Sequence, residues 1–174
     1  MSAETRIRPA TPADVARIAG IYRFHVLNGA ATFEIEPPEL GEVERRWAAL
    51  TGQGYPFLVA ETGAVIAGYA YAGPYRPRPA YRHTVEDSIY LDPEFIGRGL
   101  GKLLLAQLIQ RCMEKNYRQM IAVIGDSGNA ASIRLHEAFG FRLVGVLREV
   151  GFKLDRWVDT VLMQRGLTPP ASRL

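Results

Sequence analysis

The run Gly97-Arg98-Gly99-Leu100-Gly101-Lys102 opens a helical stretch directly after an extended one. Glycine lets backbone approach an anion closely, the first N–H groups of a helix lack partners, and the helix dipole favours negative charge there. The run therefore reads as a phosphate cradle. A nucleoside triphosphate loop needs G-x-x-x-x-G-K-[ST]; Ile96 stands at the first glycine and Leu103 follows Lys102, which excludes it. The dinucleotide fingerprint G-x-G-x-x-G fails as well, because the spacing here is G-x-G-x-G. Just upstream, Val85, Asp87, Ile89 and Leu91 alternate with Glu86, Ser88 and Tyr90, the period of a strand, which Asp92-Pro93 ends. Glu86, sharing a face with Ser88, is the best-placed proton acceptor. His136, one turn after Ser132 in a helix begun by Asn129, is the second acid/base candidate, since histidine titrates near neutral pH.

These groups need a frame, and the chain supplies one. Residues 7–8 read as a short first strand. Thr11, Pro12 and Asp14 start a helix that ends near Asn28-Gly29, and Pro37-Pro38 precede a second helix over residues 39–50. Residues 57–61 and 65–72 pattern as an antiparallel hairpin, and an irregular Pro- and Arg-rich segment, 73–83, leads into the strand of Glu86. A helix follows over 102–115, then an apolar strand at 120–124 and a helix over 130–139 with Gly140 as its stop. Two strands, 141–150 and 153–163, close the chain, and 168–174 reads as a loose tail. The expected class is α/β, a mixed sheet with helices on both faces, in one domain spanning 1–174 with its core over 6–167.

Composition narrows the partners. A net charge of +3 suits a polyanionic ligand but is too small to argue for nucleic acid, and no run approaches the length of a membrane span. The lone cysteine, Cys112, fits a mid-helix core thiol and a reducing cytoplasm, and the start lacks a signal-peptide core. His25, His83 and His136 have no metal-ligand spacing, so no metal is expected.

The glycine run resembles the pyrophosphate loop of the GCN5-related N-acetyltransferases, [QR]-x-x-G-x-[GA], at Gly99 and Gly101, with Ile96 where Gln or Arg is usual. The element order is similar to that superfamily's too: about seven mostly antiparallel strands, splayed between the fourth and fifth. His136, where the superfamily more often has Tyr, narrows the likeness to the phosphinothricin and methionine sulfoximine N-acetyltransferases. Ala31-Thr32-Phe33-Glu34, Arg78 through Ala80-Tyr81, residues 84–90, 122–141 and 150–159 carry it. The resemblance implies acetyl-CoA as cofactor, with its pantetheine on the backbone of Ile89, Tyr90 and Leu91 and its pyrophosphate at residues 97–102. Asn129 and Ser132 would make further contacts.

The resemblance further implies Glu86 and His136 as an acid/base pair and a small amino acid analogue as acceptor. Arg76, Arg78 and Arg82, with Tyr81, would meet the acceptor's anionic groups, because guanidinium pairs bidentately with carboxylate. Phe33 and Glu34 would wall the pocket, and Glu86, Asp87 and Ser88 would line it. Lys153, Trp157 and Asp159 read as architectural, and a homodimer follows from the likeness alone. Two other readings stay open: an acetyltransferase of protein or peptide N-terminal amines, and a non-catalytic acyl-CoA sensor, which could dispense with Glu86 and His136.

Overall fold

The structure is a computed structural model that describes residues 4–167, so the loose tail expected at 168–174 lies outside the described residues. Its strands are β1 (Thr5–Pro9), β2 (Phe57–Thr62), β3 (Val65–Pro74), β4 (Thr84–Leu91), β5 (Gln119–Gly125), β6 (Arg142–Lys153) and β7 (Arg156–Gly166). Its helices are α1 (Val15–Asn28), α2 (Leu40–Gly52), α3 (Leu100–Glu114) and α4 (Ala130–Ala138). The strands form one sheet in the order β1-β2-β3-β4-β5-β7-β6. Only β4 and β5 run parallel among its neighbours. The mixed sheet expected from the element order is therefore present.

Local chemistry explains the first turn. A short 3₁₀ turn at Pro12–Asp14 precedes α1, and the Asp14 carboxylate reaches back to accept from Thr11 N (2.7 Å) and Oγ1 (2.9 Å). Arg8 forks onto the same carboxylate at 2.7 and 2.9 Å, holding Asp14 down at about 2. Thr11 thus leads the helix as expected, but the acid does the accepting.

The two faces of the sheet bury different material. Leu104, Leu105, Leu108 and Cys112 of α3 pack on Val85, Met120, Ala122 and Met163. Val15, Ile18 and Ile21 of α1, with Val43 of α2, pack on Phe57, Val59 and Tyr69. Each valine, leucine, isoleucine, methionine or phenylalanine among them, removed from water, contributes roughly 1.5–3 kcal/mol. Strand alternation then divides β4: Val85 and Asp87 turn to the α3 face, while Glu86, Ser88 and Tyr90 turn to the α1–α2 face.

The feature that makes the site is a fork. β4 pairs with β3 from Val85 to Leu91, but with β5 only from Thr84↔Gln119 to Asp87↔Ala122. Beyond Asp87 the two parallel strands diverge, and the backbone edges of residues 88–91 and 123–125 face a gap.

Candidate active site

A cavity of about 700 Å³ fills the fork, lined by Asp87 through Leu91 on β4 and Ala122 through Gly125 on β5. Gly97, Gly99, Leu100, Gly101 and Lys102 form its floor, and Asn129, Ser132, Leu135 and His136 of α4 its side. Gly97 and Gly99 have φ of 82° and 80°, the left-handed region that side chains resist, and a Cβ at either would meet nothing within 4 Å. The loop therefore turns its bare backbone to the cavity, and Gly99 caps α3 while its carbonyl takes the Lys102 and Leu103 amides. Free leading amides, Lys102 and a cleft between open strand edges fit a long ligand with a diphosphate at one end. That is the shape and charge of a coenzyme A thioester. Of the residues expected to hold it, Ile89, Tyr90, Leu91, Gly97, Gly99, Leu100, Gly101, Lys102, Asn129 and Ser132 all line the cavity.

Arg98 does not. It turns back along the exposed surface, donating from Nη2 to the Glu94 carbonyl (2.9 Å) over the Phe95 ring. The loop accordingly offers the cavity its backbone and Lys102, without that guanidinium. Asn129 is also partly committed, since its side chain accepts the Ser132 amide at 3.2 Å as the cap of α4. The sequence reading missed His25 here: it lines the cavity and donates from Nε2 to the Leu91 carbonyl at 2.7 Å.

Glu86 and His136 are not a hydrogen-bonded pair. Glu86 stands half-buried on the α1–α2 face, opposite Gly73, whose missing side chain leaves the carboxylate uncovered from that strand. Burial, then the adjacent Asp87 charge, pushes its carboxyl above the usual range, while Arg76 pulls the other way. His136 lies across the sheet, buried, with Nε2 3.0 Å from Asp87 Oδ2 and Nδ1 2.8 Å from the Ser132 carbonyl. The two residues flank the fork from opposite sides because strand alternation sends Glu86 and Asp87 to opposite faces. Asp87, expected to line the acceptor pocket, is instead the partner of His136.

The α1–α2 side of the fork carries the residues expected to meet an acceptor. Ser88 faces Tyr71 across β3–β4, and Tyr69, Tyr71 and Tyr90 continue that face as near neighbours. The 73–83 segment carries Arg76, Arg78, Tyr81 and Arg82 as exposed side chains. Arg76 sits over the Tyr75 ring, and Tyr81 packs edge-on to that same ring. Arg82 donates to the Pro79 carbonyl at 3.4 Å. Of the three arginines, Arg76 acts on Glu86.

Phe33 packs tightly against glycines. A Cβ on Gly151 would lie 2.4 Å from its ring, and one on Gly125 3.1 Å from it. Glu34 is held by Arg46 at 2.6 Å. The buried Lys153 donates from Nζ to the Thr32 carbonyl at 2.7 Å, and Thr32 Oγ1 is 2.8 Å from Tyr22 Oη, so the strap 30–34 is fastened from both sides. Asp159 gathers Ser127, Arg148 and the Glu149 amide at the bulge of β6. Lys153 and Asp159 thus hold loops in place, while Trp157 is exposed.

This fold and fork are those of an acyl-CoA N-acyltransferase, and residues 7–162 match the family described as the acetyltransferase (GNAT) domain. The chain belongs to that family and is an N-acetyltransferase. It is 52% identical over 161 residues to a phosphinothricin N-acetyltransferase of Alcaligenes faecalis, covering 92% of this chain and 82% of that one. An L-methionine sulfoximine/L-methionine sulfone acetyltransferase of Pseudomonas aeruginosa is 41% identical over 167 residues, covering 95% and 96%. Among solved structures, a phosphinothricin acetyltransferase from Sinorhizobium meliloti in complex with AcCoA superposes with a TM-score of 0.92 at 47% identity, covering 100% of this chain and 96% of that one.

Proposed function

We propose that this chain acetylates the α-amino group of a small amino acid analogue of the phosphinothricin, methionine sulfoximine or methionine sulfone type. The observation that carries the reading is Glu86: a half-buried carboxylate, raised above its ordinary range, one residue before β4 parts from β5. Acetyl-CoA, held in the fork, supplies an activated acetyl group as a thioester. Lys102 and the loop's backbone amides would hold the diphosphate, and the open β4 edge at Ile89 and Tyr90 would take the pantetheine amides. The acceptor comes from the α1–α2 face. Its amine nitrogen attacks the thioester carbonyl, the carbon–sulfur bond breaks with its electron pair going to sulfur, and the nitrogen's surplus proton passes to the Glu86 carboxylate. A carboxyl with a raised pKa is a better match to that proton than an ordinary one.

Arg76, with Arg78 and Arg82 on the same segment, offers cations for the acceptor's carboxylate and its phosphinate or sulfone oxygens. Homologues named for such substrates, alike over nearly the whole chain, support the same class. A homodimer and a cytoplasmic setting belong to the proposal. Leu143, Val144, Leu147, Val150, Phe152 and Trp157 on β6 and β7 are each 48–62% exposed, an apolar edge suited to a second copy. Sedimentation giving a monomer at micromolar concentration would remove the dimer.

The functional test is coenzyme A release across phosphinothricin, methionine sulfoximine, methionine sulfone, polyamines and a peptide panel. Turnover with the first three alone is the expected result. Turnover confined to peptides would replace the substrate class, and cofactor binding without turnover would leave a sensor.

A further inference from the structure

His136 and Asp87 form the most deeply buried polar contact in the site, with side chains 5% and 2% exposed. Their hydrogens can be counted from the partners. The Ser132 carbonyl can only accept, so Nδ1 carries a hydrogen and gives it to that oxygen at 2.8 Å. Nε2 then faces Asp87 Oδ2 at 3.0 Å. An ionised Asp87 can likewise only accept, which puts a second hydrogen on the ring. Neither nitrogen is left with a free lone pair, nor with a free N–H.

The groups bonded to the ring favour its charged form, against an apolar surround. Asp87 Oδ1 is buried without a partner among the described residues, so the carboxylate's compensation comes through Oδ2 and the ring. From α3 the pair meets Cys112, whose thiol burial pushes up to about 12 and so keeps neutral. β5 brings Met120 and Ala122, which do not ionise, and Phe141 packs edge-on to the imidazole at 4.9 Å. Glu86 is on the other face of β4. Burial opposes charge on the ring, but the Asp87 hydrogen bond, that carboxylate's charge and the Ser132 carbonyl together raise the His136 pKa.

We propose that Asp87 is a positioning residue: it commits His136, with Ser132, to a fixed latch that seats α4 against β4 on the cofactor side of the fork, and leaves the acceptor's proton to Glu86 alone. The inference rests on the acetyl-transfer reading above. α4 carries Asn129 and Ser132 along one wall of the cavity, so what the latch fixes is the width of the cofactor cleft. A proton carrier needs a nitrogen that can turn to the substrate, and both nitrogens here are held by the fold.

The test begins with the unaltered protein. In ¹⁵N spectra of the ring, both nitrogens stay in the protonated range through neutral pH, and the acid limb of kcat falls outside His136's own titration. Loss of the imidazolium form below its ordinary pKa, or a kcat limb that tracks it, would overturn the latch. Asp87→Asn then lowers the His136 pKa and raises the KM for acetyl-CoA about tenfold, with kcat within about threefold, as loss of a charged hydrogen bond implies. A kcat loss as large as that of Glu86→Gln at unchanged KM would make the pair catalytic. The spectrum needs no acceptor, so a mistaken acceptor class leaves this result standing, and it decides the matter even if Asp87→Asn does not fold.

Discussion

The two sides of the fork are built from different material. On the α3–α4 side the cavity wall is mainly backbone, glycine and aliphatic side chain, with Lys102 and Arg134 as its cations and His136 tied down. On the α1–α2 side the groups proposed to act are side chains: half-buried Glu86, a row of tyrosines, and arginines standing in solvent on the 73–83 segment. A cofactor that never varies can be met by a rigid, preformed surface. In the proposed function, an acceptor that differs between relatives is met partly by arginines on a loop, where substitution leaves the sheet intact.

That contrast predicts separable defects. The largest belongs to Glu86→Gln, which keeps the shape and removes the base: kcat should fall roughly 10²- to 10⁴-fold with acetyl-CoA affinity nearly unchanged. Gly99→Val attacks the other side. A β-branched residue at φ 80° costs about 2 kcal/mol, so the free loop should relax out of the cradle conformation; if binding must restore it, the KM for acetyl-CoA rises by up to roughly thirtyfold while the acceptor KM holds. Arg76→Leu should do the reverse on a smaller scale, raising acceptor KM about three- to tenfold without touching cofactor binding. If Gly99→Val and Arg76→Leu disturbed both KM values alike, the two sides would be one coupled unit.

The smallest effect is on stability. A histidine whose folded pKa is raised contributes stability that is fully present below its unfolded value of 6.5 and is lost as pH rises through the folded value. Thermal unfolding of the wild type should therefore show a mild decline in Tm over that window, absent in Asp87→Asn. A flat wild-type profile would mean that the pair carries no charge.

Legibility in the sequence followed the same division. The glycine loop, the strand before it and the helix after it are adjacent in the chain, so spacing alone picked out a loop that lines the cavity. Element order and alternation located the sheet and the faces of β4. What spacing could not supply were contacts closed by the fold. The Asp87–His136 bond joins residues 49 apart, and Lys153 reaches Thr32 across 121. Alternation already put Glu86 and Asp87 on opposite faces, so a helix packed on the α3 face could meet only Asp87; the missing information was which face α4 takes. Arg98 departed for a local reason, the nearness of the Glu94 carbonyl and the Phe95 ring.

The central claim is that Glu86 meets the acceptor's nitrogen at the fork. A crystal structure with coenzyme A and methionine sulfone measures it directly. The predicted result is a Glu86 carboxylate oxygen in hydrogen-bond contact with the α-nitrogen, or within roughly 6 Å of it through one water. A carboxylate turned from the nitrogen and locked in an ion pair with the 73–83 arginines would contradict the account.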